Sequence, residues 1–264
     1  MDPLPADGAA LVLTRHPPPS KALWAAELPR ALWSLATWWR RRAALAAVPA
    51  GDGRRVIVLP GMFNSDLSTA VMRRYLNRLG YRAEGWRLGR NLGVRSVGAE
   101  ADRLLARIEA VGEPVALVGI SLGGILARLA AHRRPDLVRG VVTIAAPYAG
   151  DGRATNVWRA FELVTGERLT DPAVVARSEA IAAPLPVPCT AIWSRSDGLV
   201  NGLICHDPAA KSVEVVSGHY LVQLRPQVLV ALAKALGEMG QAPSPLVGEG
   251  RGPLAKQVGR MRGP

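Results

Sequence analysis

From Gly51 onward, short β-branched and apolar runs alternate with longer amphipathic stretches, and this rhythm constrains the fold more than any other property of the chain. The runs fall at residues 55–59, 115–119, 141–145, 189–194 and 212–216, with a weaker one near 81–86. Each is apolar at consecutive rather than alternate positions, which is how a strand buried on both faces reads. Between them, residues 66–79, 97–110 and 226–236 space their apolar side chains for helices, the first with Ser65 or Asp66 as the expected N-cap. Strands alternating with helices specify an α/β fold, a mostly parallel sheet with helices on both faces. The rhythm is interrupted once, at residues 147–188, where Trp158, Phe161 and Leu163 precede a second helical piece after Pro172. This reads as a short helical cap inserted above the sheet.

A chain of 264 residues fits one large domain, expected over residues 51–240, and a hydrophobic share of 49% is enough to build its core. The formal net charge of +12 raises nucleic acid or an anionic membrane as partners, because clustered cations neutralise phosphates. The basic residues are scattered, however, with no RNP motif, no zinc-finger spacing and no basic helix followed by heptads. No nucleic-acid partner is expected. Cys189 and Cys205 form no CxxC pair and are expected to remain reduced thiols. Residues 1–10 carry Asp2 and Asp7 and lack a basic start leading into an apolar stretch, so they do not read as a signal peptide. No run approaches the roughly 18 apolar residues of a membrane span. A cytoplasmic location is the expectation.

Two ends lie outside the rhythm. Within residues 1–50, Trp24, Leu28, Leu32, Leu35 and Trp39 recur at helical spacings, with Pro29 interrupting and the Arg40, Arg41, Arg42 run following. Trp33 and Trp38 lie in the same stretch, which holds four of the seven tryptophans. Either this segment is a helix packed on the domain, the preferred reading, or it lies in a membrane interface, where tryptophan beside arginine suits the headgroup layer. Residues 241–264 are rich in glycine and proline without apolar periodicity and are expected to form a disordered tail.

The pentapeptide Gly119-Ile120-Ser121-Leu122-Gly123 ends one expected strand and opens an apolar helix. A serine on so sharp a strand-to-helix turn needs small residues two positions to either side, because the flanking elements approach closely. Its hydroxyl is a poor nucleophile until a base takes the proton, and the base needs a carboxylate to fix its tautomer. Of the four histidines, His16 precedes the fold and His132 lies about three turns down the helix that starts at Ser121. His206 sits in a polar stretch before the last strand. His219 follows that strand, at the carboxyl end where α/β active sites assemble, and is the expected base. Asp197 follows the strand ending at Trp193 and is the expected acid; Asp197-Gly198 also suits a turn for backbone reasons, and both readings can hold. The order Ser121, Asp197, His219 is the one in which this elbow's triad is supplied. An oxyanion hole needs two backbone N–H groups, expected from Leu122 and from Met62 after Pro60-Gly61.

With these motifs in place, the chain resembles the α/β-hydrolase superfamily, in particular small bacterial lipases and esterases. The resemblance runs over residues 51–236 and rests on Gly119-Ile120-Ser121-Leu122-Gly123, Ser196-Asp197-Gly198-Leu199-Val200 and Gly218-His219. It implies the α/β-hydrolase fold and hydrolysis of carboxylic or lipid esters by an acyl-enzyme route, without metal or organic cofactor. Phe63, Ile120 and Tyr148 are the expected substrate-binding side chains. The chain departs from the family at the oxyanion loop, where Pro60-Gly61 stands in place of the common His-Gly pair. A thioesterase or acyltransferase would use the same triad, and a non-catalytic binding protein could share the fold.

Overall fold

The computed structural model describes residues 16–36, 40 and 42–239. Trp38, Trp39, the first ten residues and the expected tail at 241–264 lie outside the described residues.

Six parallel strands form one sheet in the order β2-β1-β3-β4-β5-β6: β1 (Arg55–Leu59), β2 (Arg82–Gly85), β3 (Val115–Ile120), β4 (Val138–Ile144), β5 (Cys189–Trp193) and β6 (Ser212–Glu214). The central strands alternate between two apolar cores, one on each face. Val56, Val58, Ala116, Val118, Val142 and Ile144 pack with α4 (Ala70–Leu79) and α10 (Pro226–Met239). Ile57, Leu59, Val115, Leu117 and Val141 pack on the opposite face with α6 (Asp102–Glu109) and α7 (Leu122–Arg133). Both faces are covered, so the strands carry the continuous apolar runs of the sequence rather than a polar alternation.

Two of the expected helices differ in detail. The segment read as a helix from residue 66 begins at Ala70 with Thr69 as N-cap. The Asp66 carboxylate is drawn off to the loop after β2, where it accepts the Trp86 and Arg87 N–H groups, each at 3.0 Å. The segment read as one helix at 97–110 is two, α5 (Val94–Val97) and α6, separated at Gly98 (φ 86°) and Ala101 (φ 62°), where positive φ ends the first and restarts the second. The 147–188 interruption is a pair of helices, α8 (Trp158–Thr165) and α9 (Pro172–Ala182), the second with Asp171 as N-cap and Pro172 at N1. Buried Arg128 of α7 ties α9 to the domain. Its guanidinium donates to the carbonyls of Ile181 (2.7 Å), Ala182 (3.2 Å) and Ala183 (2.6 Å) and stacks on Tyr148. A cation over the open carbonyls of a helix C-terminus is favourable on both counts.

The N-terminal helices are packed on the domain. α1 (Lys21–Ala25) and α2 (Glu27–Ala36) are joined through Ala26, and α2 turns Glu27 and Ala31 inward. Leu28, Leu32 and Trp33 of α2 face outward, more than half exposed. α3 (Arg42–Ala46) packs against α10. Among the described residues, no helix is long and apolar enough to cross a membrane.

Candidate active site

The turn between β3 and α7 places Ser121. Its backbone is held at φ 51°, ψ −120°, a strained conformation for a residue with a side chain. The neighbours that permit it have no room to spare: a Cβ on Gly119 would lie 2.3 Å from the Gly123 carbonyl oxygen, and one on Gly123 would lie 2.5 Å from that of Leu59. The Ser121 N–H donates to the Ile144 carbonyl of the adjacent strand at 2.8 Å, which fixes the elbow at the carboxyl edge of the sheet.

The loop after β1 lies against this elbow. A Cβ built on Gly61 would be 3.5 Å from Ser121 Cβ, so the backbone of Pro60-Gly61-Met62 runs beside the serine. Fully buried Asn91 holds that loop, donating from Nδ2 to the Pro60 carbonyl (2.7 Å) while its own carbonyl accepts the Phe63 N–H (2.8 Å). The sequence reading missed Asn91, because a lone asparagine in a loop carries no signal before its partners are known. Among the described residues, neither the Met62 nor the Leu122 N–H has a protein acceptor, and both residues border the cavity above Ser121. The first turn of α7 leaves Leu122 N–H free for geometric reasons.

The loops after β5 and β6 bring the other two side chains together. His219 Nδ1 and Asp197 Oδ2 are 2.7 Å apart, a charge-assisted bond with Asp197 3% exposed. The second oxygen, Asp197 Oδ1, accepts the N–H groups of Leu199 and Val200, each at 2.9 Å. The Asp197-Gly198 turn therefore does serve as a backbone turn while its carboxylate faces His219. Burial presses the His219 pKa down; the charge and hydrogen bond of Asp197, aided by Glu27, more than offset this and hold it above the ordinary imidazole value. The link from Ser121 Oγ to His219 is not among the hydrogen bonds of the described residues.

The other described histidines lie elsewhere. His206 stacks on Trp193, ring centroids 4.1 Å apart, and burial lowers its pKa; it is a packed ring rather than the loose surface residue its polar surroundings suggest. His132 sits at the far end of α7.

A cavity of about 520 Å³ opens above Ser121, between the sheet edge and the cap. Met62, Leu122 and Tyr148 line it, as do Trp158, Phe161 and Val174 from the cap helices. Two expected substrate contacts do not. Ile120 is 5% exposed and packs in the core on the α10 side, because strand alternation turns it to the face opposite the one Leu117 takes. Phe63 takes φ 64° at the loop's turn and points to solvent, 45% exposed. Among the described residues, no group of histidine, cysteine and carboxylate side chains could hold a metal ion.

The sheet order, the strand-end loops and the elbow define an α/β-hydrolase fold. Solved structures of that fold superpose on most of the chain. A Bacillus licheniformis lipase in its mature form matches at TM-score 0.51 and 14% identity, over 70% of this chain and 92% of its own. A structure reported for two metagenome-derived lipolytic enzymes matches at TM-score 0.52 and 17% identity, over 74% and 96%. An α/β hydrolase from the metagenome of Moroccan lagoon sediments matches at TM-score 0.50 and 23% identity, over 73% and 94%. No family model and no curated protein sequence matches the chain.

Proposed function

We propose that the chain is a serine hydrolase of carboxylic esters. Ser121 attacks the ester carbonyl while His219 takes its proton. Asp197 orients the imidazole and stabilises the imidazolium. The carbonyl oxygen becomes an oxyanion received by the Met62 and Leu122 N–H groups, and His219 returns the proton to the departing alcohol. Water, activated by His219, then releases the acyl group from Ser121.

The observation that carries this reading is the 2.7 Å His219–Asp197 bond on loops at the same sheet edge as the strained Ser121 elbow. A histidine with a raised pKa, an acid with its second oxygen fully bonded, and two free N–H groups beside the serine are the parts that acyl transfer needs. The apolar side chains of Leu122, Phe161 and Val174 around the cavity favour an apolar acyl group. Each methylene buried there gains about 0.8 kcal/mol, so kcat/KM on p-nitrophenyl esters is expected to rise with acyl length until the cavity is filled. On the best substrate of that series, Ser121→Ala is expected to abolish turnover while the circular dichroism spectrum is unchanged. Undiminished turnover in the variant would refute the assignment.

Thioesters and acyl transfer to alcohols need the same machinery. Comparing turnover of matched thioester and ester substrates, with and without an alcohol acceptor, separates these from simple ester hydrolysis.

A further inference from the structure

We infer that Glu27 is a positioning residue of the triad: its buried carboxylate ties the loop carrying Asp197 to the loop carrying His219 and so sets the spacing between acid and base. The inference rests on reading Ser121, His219 and Asp197 as a triad. Glu27 opens α2 and is 0% exposed. Its Oε1 accepts the N–H of Gly198, the residue after Asp197, at 2.7 Å, and its Oε2 accepts the N–H of Tyr220, the residue after His219, at 3.0 Å. One carboxylate therefore spans the two loops, one oxygen to each.

A carboxylate shut away from water is strongly unfavourable unless its oxygens are bonded. Glu27 meets that condition with these two N–H groups, and it lies in the first turn of α2, where the helix dipole favours negative charge. The fit is close on both sides. A Cβ on Gly218 would stand 2.4 Å from Glu27 Oε2, and one on Gly198 would stand 2.5 Å from the Leu23 carbonyl oxygen in α1. Two arginines brace the same contact. Arg30 of α2 donates to the Ser196 carbonyl at 2.7 Å, and Arg225 donates to the carbonyls of Arg30 (2.8 Å) and Tyr220 (3.3 Å). An N-terminal segment outside the sheet thus holds the two residues that flank Asp197, Ser196 and Gly198, in place from one side.

Glu27 also acts through its charge. His219 faces Asp197 from the β5 loop and Glu27 from α2. Arg225 and Arg30 lie behind Glu27, and the buried Cys205 thiol lies near Asp197. Of these, the two carboxylates favour the imidazolium that forms when Ser121 gives up its proton. Glu27 touches no reacting atom.

The test uses the full chain carrying Glu27→Gln or Glu27→Asp. Glutamine keeps the shape but removes the charge and turns an NH2 group toward one of the two backbone N–H groups. Its expected effect is a kcat on p-nitrophenyl esters lower by on the order of 10- to 100-fold, with KM within about twofold. An NMR titration of the His219 ring should show its pKa lower than in the unmodified chain. Aspartate keeps the charge and loses reach, so it should hold the His219 pKa high while amide exchange at Gly198 and Tyr220 speeds up. Should the glutamine variant not fold, the aspartate variant alone carries the test through those amides and kcat. An unshifted His219 titration with unchanged kcat in Glu27→Gln, or unchanged amide exchange and kcat in Glu27→Asp, overturns the inference. The NMR and exchange readings need no turnover, so they separate this outcome from failure of the triad itself, which Ser121→Ala reports.

Discussion

His219 titrates in a contest between burial, which lowers its pKa, and two carboxylates, which raise it; the carboxylates prevail. The direction has two opposite consequences. Only the neutral ring can take the serine proton, so kcat/KM should fall on the acid side with a midpoint above 6.5, the ordinary imidazole value. A raised folded-state pKa also means that charged His219 stabilises the fold. That stabilisation is fully present below 6.5 and is lost as pH rises through the higher folded-state value. Activity and this increment of stability should therefore trend against each other across neutral pH, measurable as a pH–rate profile beside thermal melts at the same pH values. In Asp197→Asn the carboxylate is gone and the ring is free to adopt the wrong tautomer. A loss in kcat of roughly 10³- to 10⁴-fold is expected, together with an acid limb moved to lower pH. An acid limb unmoved in that variant would mean that some other group is the base.

At the scale of elements, the strands were readable because both faces of the sheet are covered, and residues 55–59 match β1 at both ends. The start of β4 was not. It begins at Val138, three residues earlier than expected, because exposed Arg139 and small Gly140 interrupt the apolar run that marks the rest of the strand. The break in the 97–110 helix was hidden for a different reason, since Ala101 takes a left-handed conformation that its side chain gives no cause to expect. Asp66 offers a strong N-cap on paper but is claimed by N–H groups 20 and 21 residues away. Long-range partners of this kind have no local signature. Gly119 of the elbow is the opposite case, because its close contacts are with Gly123 and Gly124, whereas Gly123 abuts the distant Leu59 and Pro60 carbonyls. Gly123→Ala should overpack the Leu59 and Pro60 carbonyls and destabilise by about 1–3 kcal/mol or more, read from urea unfolding. An unfolding midpoint equal to that of the parent chain would show that α7 can shift without cost.

At the scale of the whole molecule, the sheet gathers onto one edge the three loops that carry Ser121, Asp197 and His219, residues distant in sequence. The sequence order of these residues says nothing of what holds the loops. Glu27, Asn91 and Arg128 each make their decisive bonds to backbone groups far away in sequence, and none belongs to a motif. The pocket residues divide by the same logic. Leu122 and Met62 border the cavity because their backbones run beside Ser121, whereas Ile120 and Phe63 depend on strand facing and turn geometry that the letters do not display. The proposal that Ser121 is a nucleophile activated by His219 and Asp197 is tested most directly by exposing the intact chain to a fluorophosphonate and mapping the product by peptide mass spectrometry. One phosphonyl adduct is expected, on Ser121, formed far more slowly in His219→Ala; a chain left unlabelled, or labelled equally fast without His219, would contradict that assignment.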